Sequence, residues 1–354
     1  LFGTIYKNKR VFLTGHTGFK GSWLALWLQQ LGAEVVGYAL APNTNPNHFD
    51  LLNLSMKSHI GDIADLTNLQ KAMTRVKPDI VFHLAAQPLV RYSYREPIET
   101  YRTNVMGTAN VLEAIRFCQS VKATVIITTD KCYENLEQAH GYVETDKMGG
   151  YDPYSSSKGC AELVTNAYRN SYFNLSKFND THQTLVASAR AGNVIGGGDW
   201  CEDRLIPDLI RGVVTNQEAV IRYPKATRPW QHVLEPLSGY LLLGEKLLSG
   251  GKEFAEGWNF GPELHDVLTV EDVLKLAKEA WKSVQYRVEQ NKENPHEAGL
   301  LSLDISKAKE KLGWQPKWNA QTSIQKTFAW YQQFYENQFL LTLQDIADYK
   351  SLRN

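Results

Sequence analysis

Tyr154-Ser155-Ser156-Ser157-Lys158 places a phenol and an ammonium at i and i+4, one turn apart on a single helix face. A tyrosine is a poor base at neutral pH, because its reference pKa is about 10. A nearby cation favours the phenolate, and Lys158 supplies one. The same lysine is placed to hold a cofactor ribose. A solvated surface pair would show the same spacing, so the motif gains meaning from a second one. That second motif is Ile126-Ile127-Thr128-Thr129-Asp130-Lys131-Cys132-Tyr133, where an apolar run ends in hydroxyl, carboxylate, ammonium and phenol. Thr129 can hydrogen-bond a substrate hydroxyl while Tyr154 removes its proton. A capped turn is the plainer reading of the same Thr-Thr-Asp.

A third group of residues could cradle a phosphate. Thr14-Gly15-His16-Thr17-Gly18-Phe19-Lys20-Gly21 lies between a strand signal and a helix signal. A pyrophosphate needs close backbone approach, open N–H groups and a helix N-terminus, and glycines at 15, 18 and 21 permit all three. A tight turn without a ligand would also use them. The next strand ends Tyr38-Ala39-Leu40, with neither a carboxylate for a ribose 2′-hydroxyl nor an arginine for a 2′-phosphate. The form of the nicotinamide therefore stays open. Asp62, at the end of a third strand, is placed to meet an adenine edge or to cap a helix.

Strands and helices in alternation must position these groups. Val11-Phe12-Leu13 is a short apolar run entering the glycine turn. Ser22 is placed to cap a helix reaching Leu31, whose apolar residues lie nearly all round and predict burial. Gly32 ends that helix as a C′ glycine. Val35 to Tyr38 and Ser58 to Ile60 read as strands, separated by a long polar loop at 41–53 with room for a short helix. Leu66, Leu69, Met73 and Val76 recur at helical spacing, and Pro78 stops them. Ile80 to Leu84 is continuously apolar, as expected of a strand covered on both faces, and His83 within it reads as a core histidine. Helices at 100–120 and 154–170 flank a strand at 124–128, and 185–189 is a sixth strand. This rhythm predicts an α/β fold with a doubly wound parallel sheet. Beyond Gly192 it breaks into irregular segments, amphipathic helices and short strands. The expected division is a dinucleotide-binding domain, 1–190 with parts of about 230–260, and a smaller interleaved substrate-binding domain, 191–229 with about 261–354. Trp230, Trp258, Trp314 and Trp318 are expected to pack in cores.

Bulk composition narrows the class. The chain has 354 residues, 43% hydrophobic and 21% charged, enough to bury a sizeable core. Lysine plus arginine equal aspartate plus glutamate at 38 each, which argues against nucleic-acid and membrane-surface partners. Cys118, Cys132, Cys160 and Cys201 form no CxxC pair, so a reduced, cytoplasmic chain without a metal site is expected. Residues 1–10 carry no apolar signal core, and no apolar run approaches a membrane span.

Taken together, these motifs resemble the extended short-chain dehydrogenase/reductases that act on nucleotide sugars. The resemblance extends over nearly the whole chain. It includes His83-Leu84-Ala85-Ala86-Gln87, Tyr101 to Thr108, Arg190 to Trp200, Arg228 to Val233 and Leu312 to Pro316. Within that family the 4,6-dehydratases carry Thr-Asp-Glu at the strand end. Asp130 matches the acid, Lys131 stands where glutamate is usual, and His16 replaces a smaller residue in the cofactor turn. TTDKCY, RAGNVIGGGDW and RPWQHV are most similar to the branch acting on CDP-glucose. The neighbouring possibilities are dehydratases for dTDP-glucose or GDP-mannose, a 4-epimerase, and, more distantly, a non-enzymatic nicotinamide sensor on the same fold.

The resemblance implies a Rossmann-type fold, bound NAD and an internal redox cycle. Tyr154, with Lys158 and Thr129, takes the C4 hydroxyl proton; water then leaves across C5 and C6, with Asp130 as acid for the departing hydroxyl. Lys131 is the candidate C5 base. To serve it must be uncharged, which burial or nearby Lys158 would favour and adjacent Asp130 would oppose. The cofactor residues implied are Gly15, His16, Gly18, Phe19, Lys20, Gly21, Asp62, Ile63, Leu84, Ala85, Ala86, Gln87, Thr103, Thr128, Tyr154 and Lys158. Those implied for the substrate are Tyr133, Asn193, Arg204, Leu205, Arg222, Tyr223, Arg228, His296 and Glu297. The arginines supply phosphate contacts, Arg228 foremost, since a planar guanidinium suits bidentate binding. A homodimer or homotetramer is implied, built on the helices around 100–118 and 154–170.

Overall fold

The computed structural model describes residues 2–138, 140–221, 223–289 and 301–352. In chain order the first elements are β1 (Arg10–Thr14), α1 (Phe19–Gln30), β2 (Glu34–Ala39), α2 (His48–Leu52), β3 (Lys57–Ile60), α3 (Leu66–Val76) and β4 (Ile80–His83). They are followed by α4 (Val90–Arg95), α5 (Pro97–Tyr101), α6 (Gly107–Arg116), β5 (Ala123–Thr128), α7 (Pro153–Ser171) and β6 (Leu185–Arg190). Then come β7 (Val194–Ile195), α8 (Leu205–Thr215), β8 (Ala219–Ile221), β9 (Thr227–Arg228), β10 (Gln231–His232), α9 (Leu234–Leu248) and β11 (Gly257–Asn259). The last are β12 (Leu268–Thr269), α10 (Val270–Ala280), β13 (Tyr286–Val288), α11 (Ala320–Asn337) and α12 (Thr342–Ser351).

The chain forms two compact units. The first comprises residues 1–134, 144–191 and 237–259. Its centre is a seven-stranded sheet in the order β11-β6-β5-β4-β1-β2-β3, parallel throughout. The expected doubly wound sheet is thus present. Strand order reverses at β1, between β2 and β4, and in such sheets ligands bind outside the strand carboxyl ends at that point. β4, β5 and β6 are buried along their whole length, in keeping with their apolar runs. α1 is buried from Gly21 to Leu28, and its tryptophans Trp23 and Trp27 fill the interior.

Two details depart from the sequence expectation. α1 begins at Phe19, so Ser22 lies inside it; its hydroxyl reaches Phe19 O and His48 Nδ1, both at 2.8 Å, and is no N-cap. The helical stretch expected at 100–120 is broken into α5, a π-helical turn at Arg102–Met106, and α6. Asn104 in that turn spends its side chain on neighbours: Oδ1 accepts from Gln87 N, and Nδ2 donates to Gln87 O and Ser157 Oγ.

The second unit comprises residues 135–143, 192–236 and 260–354. Its division differs from the expected ranges at 135–143, which joins this unit because Tyr142 pairs with the strand segment at Leu303, through Tyr142 N to Ser302 O and Asp304 N to Tyr142 O, both 2.9 Å. Short pairs β7–β10, β8–β13 and β9–β12 support it. An aromatic cluster of Trp200, Trp330, Tyr331 and Phe334 packs between Asp199 and α11. α12 is held by the buried carboxylate of Glu235, which accepts from Tyr349 OH at 2.7 Å and from the backbone N–H groups of Lys317 and Trp318. Trp230, Trp258, Trp314 and Trp318 are all buried, as expected of packing residues. All four cysteines are free thiols. Among the described residues, no group of His, Cys, Asp or Glu could hold a metal, and no helix is long and apolar enough to cross a membrane.

Candidate active site

The phosphate cradle lies where β1 meets α1. Gly15 has φ +76°, and a Cβ there would stand 2.6 Å from Ala85 N and 2.9 Å from Leu84 C. The backbone leaving β4 therefore crosses directly over the turn. It is pinned there by Leu84 N to Thr14 O and Ala85 N to Thr14 Oγ1, both 3.2 Å. A Cβ on Gly21 would meet Gly15 O at 2.0 Å. No side chain caps the N-terminus of α1. Its first N–H groups and positive dipole end thus face the turn without a competing protein anion. Phe19 and Lys20 open the helix, and Lys20 Nζ lies 5.9 Å from the Tyr240 ring centroid.

His16 is fully buried in this turn. Its Nε2 lies 2.6 Å from Ser58 Oγ on β3, and its ring meets Phe49 edge to face at 5.0 Å. Burial, with His59 nearby, lowers its pKa to about 4, so the imidazole is neutral at physiological pH. His83, at the end of β4, is satisfied by Thr14 Oγ1 at 2.7 Å and Thr108 Oγ1 at 3.2 Å, the core role expected of it.

The other residues assigned to the cofactor are spread along the strand ends. Asp62 accepts from Ala64 N at 2.9 Å and pairs with Arg102 at 3.1 Å, while Ile63 is buried against Gly107. Asp62 is not the helix cap: Asp65 caps α3, accepting from Asn68 N at 3.1 Å, and Asp62 holds the turn before it. Gln87 donates to Thr100 Oγ1 at 2.8 Å, and Thr103 Oγ1 donates to Glu99 at 3.2 Å. Thr128 turns its hydroxyl inward, to Glu162 Oε1 at 2.5 Å.

The reacting groups come from β5 and α7. After Thr128 the chain enters a 3-10 turn, Asp130–Cys132, which Thr129 caps by accepting from Lys131 N. Thr129 Oγ1 donates to Asp130 Oδ1 at 2.7 Å, and Asp130 is buried. α7 starts at Pro153, its N-cap Asp152 accepting from Ser155 N at 3.0 Å. Tyr154 and Lys158 lie on its buried face. Burial lowers the Lys158 pKa to about 8, partly opposed by Glu162 and Cys132. The ammonium is therefore largely charged at neutral pH, yet close to titration, a useful poise for stabilising a phenolate.

The residues assigned to the substrate divide between the units. Tyr133, in the first, is only 1% exposed; its hydroxyl accepts from Arg190 at 2.6 Å and donates to Asn259 Oδ1 at 2.8 Å. The structure thus places it inside the unit, its polar end already engaged. In the second unit, Asn193 adopts φ +50° and accepts from Gln231 N, and Arg228 donates to Thr227 O on β9. Arg204 is paired with Asp199 at 2.7 Å, Leu205 opens α8, and Tyr223 is exposed. Arg222, His296 and Glu297 lie outside the described residues.

Sequence reasoning missed the supports of these groups. Ser93, fully buried, accepts from Tyr154 N at 3.1 Å, and Ser157 Oγ donates to Tyr154 O at 2.7 Å. Glu162 forms a buried ion pair with Arg190 at 2.9 Å. Glu162 was discoverable, since it follows Lys158 by one helical turn on the same face.

Comparison with known proteins agrees with this geometry. The chain is 51% identical over 350 residues to a CDP-glucose 4,6-dehydratase of Salmonella typhimurium, covering 98% of this chain and 97% of that protein. It shares its fold with a dTDP-glucose 4,6-dehydratase of Streptomyces venezuelae solved with NAD and TYD bound, at TM-score 0.76, 23% identity and coverage of 93% and 98%. A UDP-glucose 4-epimerase of Brucella ovis solved with NAD has the same fold, at TM-score 0.77, 21% identity and coverage of 91% and 97%. The family described as GDP-mannose 4,6 dehydratase matches residues 12–327, and this chain belongs to it.

Proposed function

We propose that this chain removes water from CDP-glucose to give CDP-4-keto-6-deoxyglucose, with NAD as a resident cofactor. The observation that carries the reading is 51% identity, over 98% of the chain, to a CDP-glucose 4,6-dehydratase. The cradle fits a dinucleotide. Gly15 lets the β4 backbone approach within 2.6 Å of where a Cβ would stand, and the N-terminus of α1 carries no side-chain cap. Gly15, Gly18, Phe19 and Gly21 would hold the pyrophosphate, Asp62 and Ile63 the adenine side, and Leu84 to Gln87, Thr103 and Lys158 the remainder. When bound there, NAD would supply the hydride acceptor for C4 and the hydride donor for C6.

The chain's own groups handle the protons. Tyr154 takes the proton of the C4 hydroxyl, and the Lys158 ammonium stabilises the phenolate. Thr129 holds that hydroxyl in line. Once C4 is a ketone, the C5 proton is acidified; Lys131 is the base we assign to remove it, and Lys131 gives the proton back to C5 when C6 is reduced. Asp130 donates to the C6 hydroxyl as it leaves as water. Asn193 and Arg228 are the proposed diphosphate contacts, and Arg204 would first have to leave Asp199. The free thiols suit a reducing compartment, and we assign the chain to the cytoplasm. We also assign self-association to α5, the π-helical turn, α6 and α7, where Ile98, Met106 and Leu163 are exposed.

The test is mass spectrometry of sugar nucleotides after incubation with the purified protein and NAD. CDP-, dTDP- and UDP-glucose and GDP-mannose are supplied in parallel. Loss of one water from CDP-glucose alone is expected. Loss from another substrate would correct the nucleotide, unchanged mass with C4 inversion would mean epimerisation, and no turnover with NAD bound would overturn the enzymatic reading.

A further inference from the structure

A buried polar network lies beneath the reacting groups, and the mechanism above makes no use of it. Glu162 stands on α7 one turn beyond Lys158, and its carboxylate is 4% exposed. It accepts from Thr128 Oγ1 at 2.5 Å, Ser188 Oγ at 2.7 Å and Arg190 at 2.9 Å. Arg190, at the end of β6, extends its other terminal nitrogen to Tyr133 OH at 2.6 Å and Glu144 O at 3.0 Å. Its guanidinium also lies 5.1 Å from the Tyr133 ring centroid. Tyr133 in turn donates to Asn259 Oδ1 at 2.8 Å, and Asn259 N donates to Glu144 Oε1 at 2.9 Å.

The connectivity is specific. Thr128 immediately precedes Thr129, and Tyr133 immediately follows the Asp130–Cys132 turn. The turn is therefore gripped at both ends by one ion pair. The same Glu162 is rooted in the helix that presents Tyr154 and Lys158. A bare packing role would not need this. Desolvating a carboxylate and a guanidinium costs several kcal/mol each, and apolar residues of similar volume often serve stability as well or better. Burial alone would raise Glu162, yet Arg190 and the hydroxyls of Thr128 and Ser188 outweigh it and keep the carboxylate ionised.

We infer that Glu162 and Arg190 are positioning residues that act through Thr128 and Tyr133, holding the Thr129-Asp130-Lys131 turn in register with Tyr154 and Lys158. Tyr133 then belongs to this clamp and not to the substrate contacts. The inference rests on the functional reading that these five groups carry the reaction. Glu162 has a second effect through its charge. Lys158 is faced by Glu162 on α7, Cys132 on the turn and His83 on β4, with Arg190 beyond Glu162. Burial raises the Cys132 thiol and keeps it neutral, which leaves Glu162 as the anion among them that supports the ammonium.

Two variants of the full chain test this, each with bound NAD. Tyr133→Phe keeps the ring over Arg190 and removes only the hydroxyl. The expected result is a kcat lower by about tenfold with KM for CDP-glucose nearly unchanged, the signature of misplaced groups. A raised KM with unchanged kcat would make Tyr133 a substrate contact and overturn the inference. Glu162→Gln keeps the shape and removes the charge. The alkaline limb of kcat, and of NAD affinity, is expected to move down by about one pH unit. Equal losses at every pH, or a lowered melting temperature with an unmoved limb, would mean a structural role only. If Glu162→Gln does not fold, Tyr133→Phe decides alone. The NAD-affinity limb separates this inference from the functional reading: no sugar-nucleotide turnover by the unmodified chain sinks the latter, and an unmoved limb in folded Glu162→Gln sinks the former.

Discussion

Replacing Gly15 with alanine should damage cofactor binding more than the same change at another left-handed glycine. Two costs apply at Gly15. Its φ of +76° is a backbone region that side chains disfavour, at about 1 kcal/mol. The added methyl also meets backbone atoms of Leu84 and Ala85 at 2.6–2.9 Å, and overpacking of this kind costs about 1–3 kcal/mol. These neighbours are main chain held by hydrogen bonds to Thr14, so no flexible side chain can swing away. The combined cost is about 2–4 kcal/mol, and any relief opens the cradle from β4. NAD should then bind at least about tenfold more weakly, since each tenfold corresponds to about 1.4 kcal/mol. Gly250 provides the control. It has φ +83° with nothing within 4 Å of an added Cβ, so Gly250→Ala incurs only the backbone cost. Titration of both variants with NAD, followed by protein fluorescence, and their thermal unfolding are the measurements. Wild-type NAD affinity in Gly15→Ala, or equal effects of the two substitutions on it, would refute the steric account.

Activity should fall as pH rises past about 8, where Lys158 loses the charge that supports the phenolate. Stability responds in the opposite sense: the folded value lies below the ordinary 10.5, so the unfolded chain binds more protons in that window and Lys158 favours the fold increasingly from about 8 upward. A pH profile of kcat that stays flat to pH 9.5 would sink the first claim. Glu235→Gln should cost about 2 kcal/mol, because its amide nitrogen would confront the N–H donors of Lys317 and Trp318 or the Tyr349 hydroxyl. Burial pushes Glu235 up to about 7 from 4.5, so its contribution to stability declines as pH climbs between those values, and urea unfolding at pH 5 and 8 should lose that difference in the variant. Lys131→Ala should abolish water loss while keeping NAD bound; full dehydration by this variant, with only cofactor affinity reduced, would remove Lys131 as the C5 base.

Local signals explain what was legible. The Gly15 to Gly21 turn and the Tyr154–Lys158 pair depend on residues close in sequence, so spacing together with the flanking strand and helix signals marked them as candidates. The strands were equally clear, because apolar runs such as Ile80 to His83 and Ala123 to Thr128 are buried on both faces. Long-range polar pairing was not. Arg190 meets Glu162 from 28 residues away, and nothing in either neighbourhood announces the other. Tyr133 and Arg204 were named for the substrate without any sign of the partners the fold gives them, Arg190 and Asp199. The stretch at 100–120 is helical as read, but no local signal marked its π-helical turn at Arg102–Met106.

The chain passes between its two units five times, at 134–135, 143–144, 191–192, 236–237 and 259–260. One of those excursions, 135–143, interrupts the stretch joining the Thr129-Asp130-Lys131 turn to Tyr154. No single cut separates the two units, so neither can be inherited, swapped or expressed as a contiguous module.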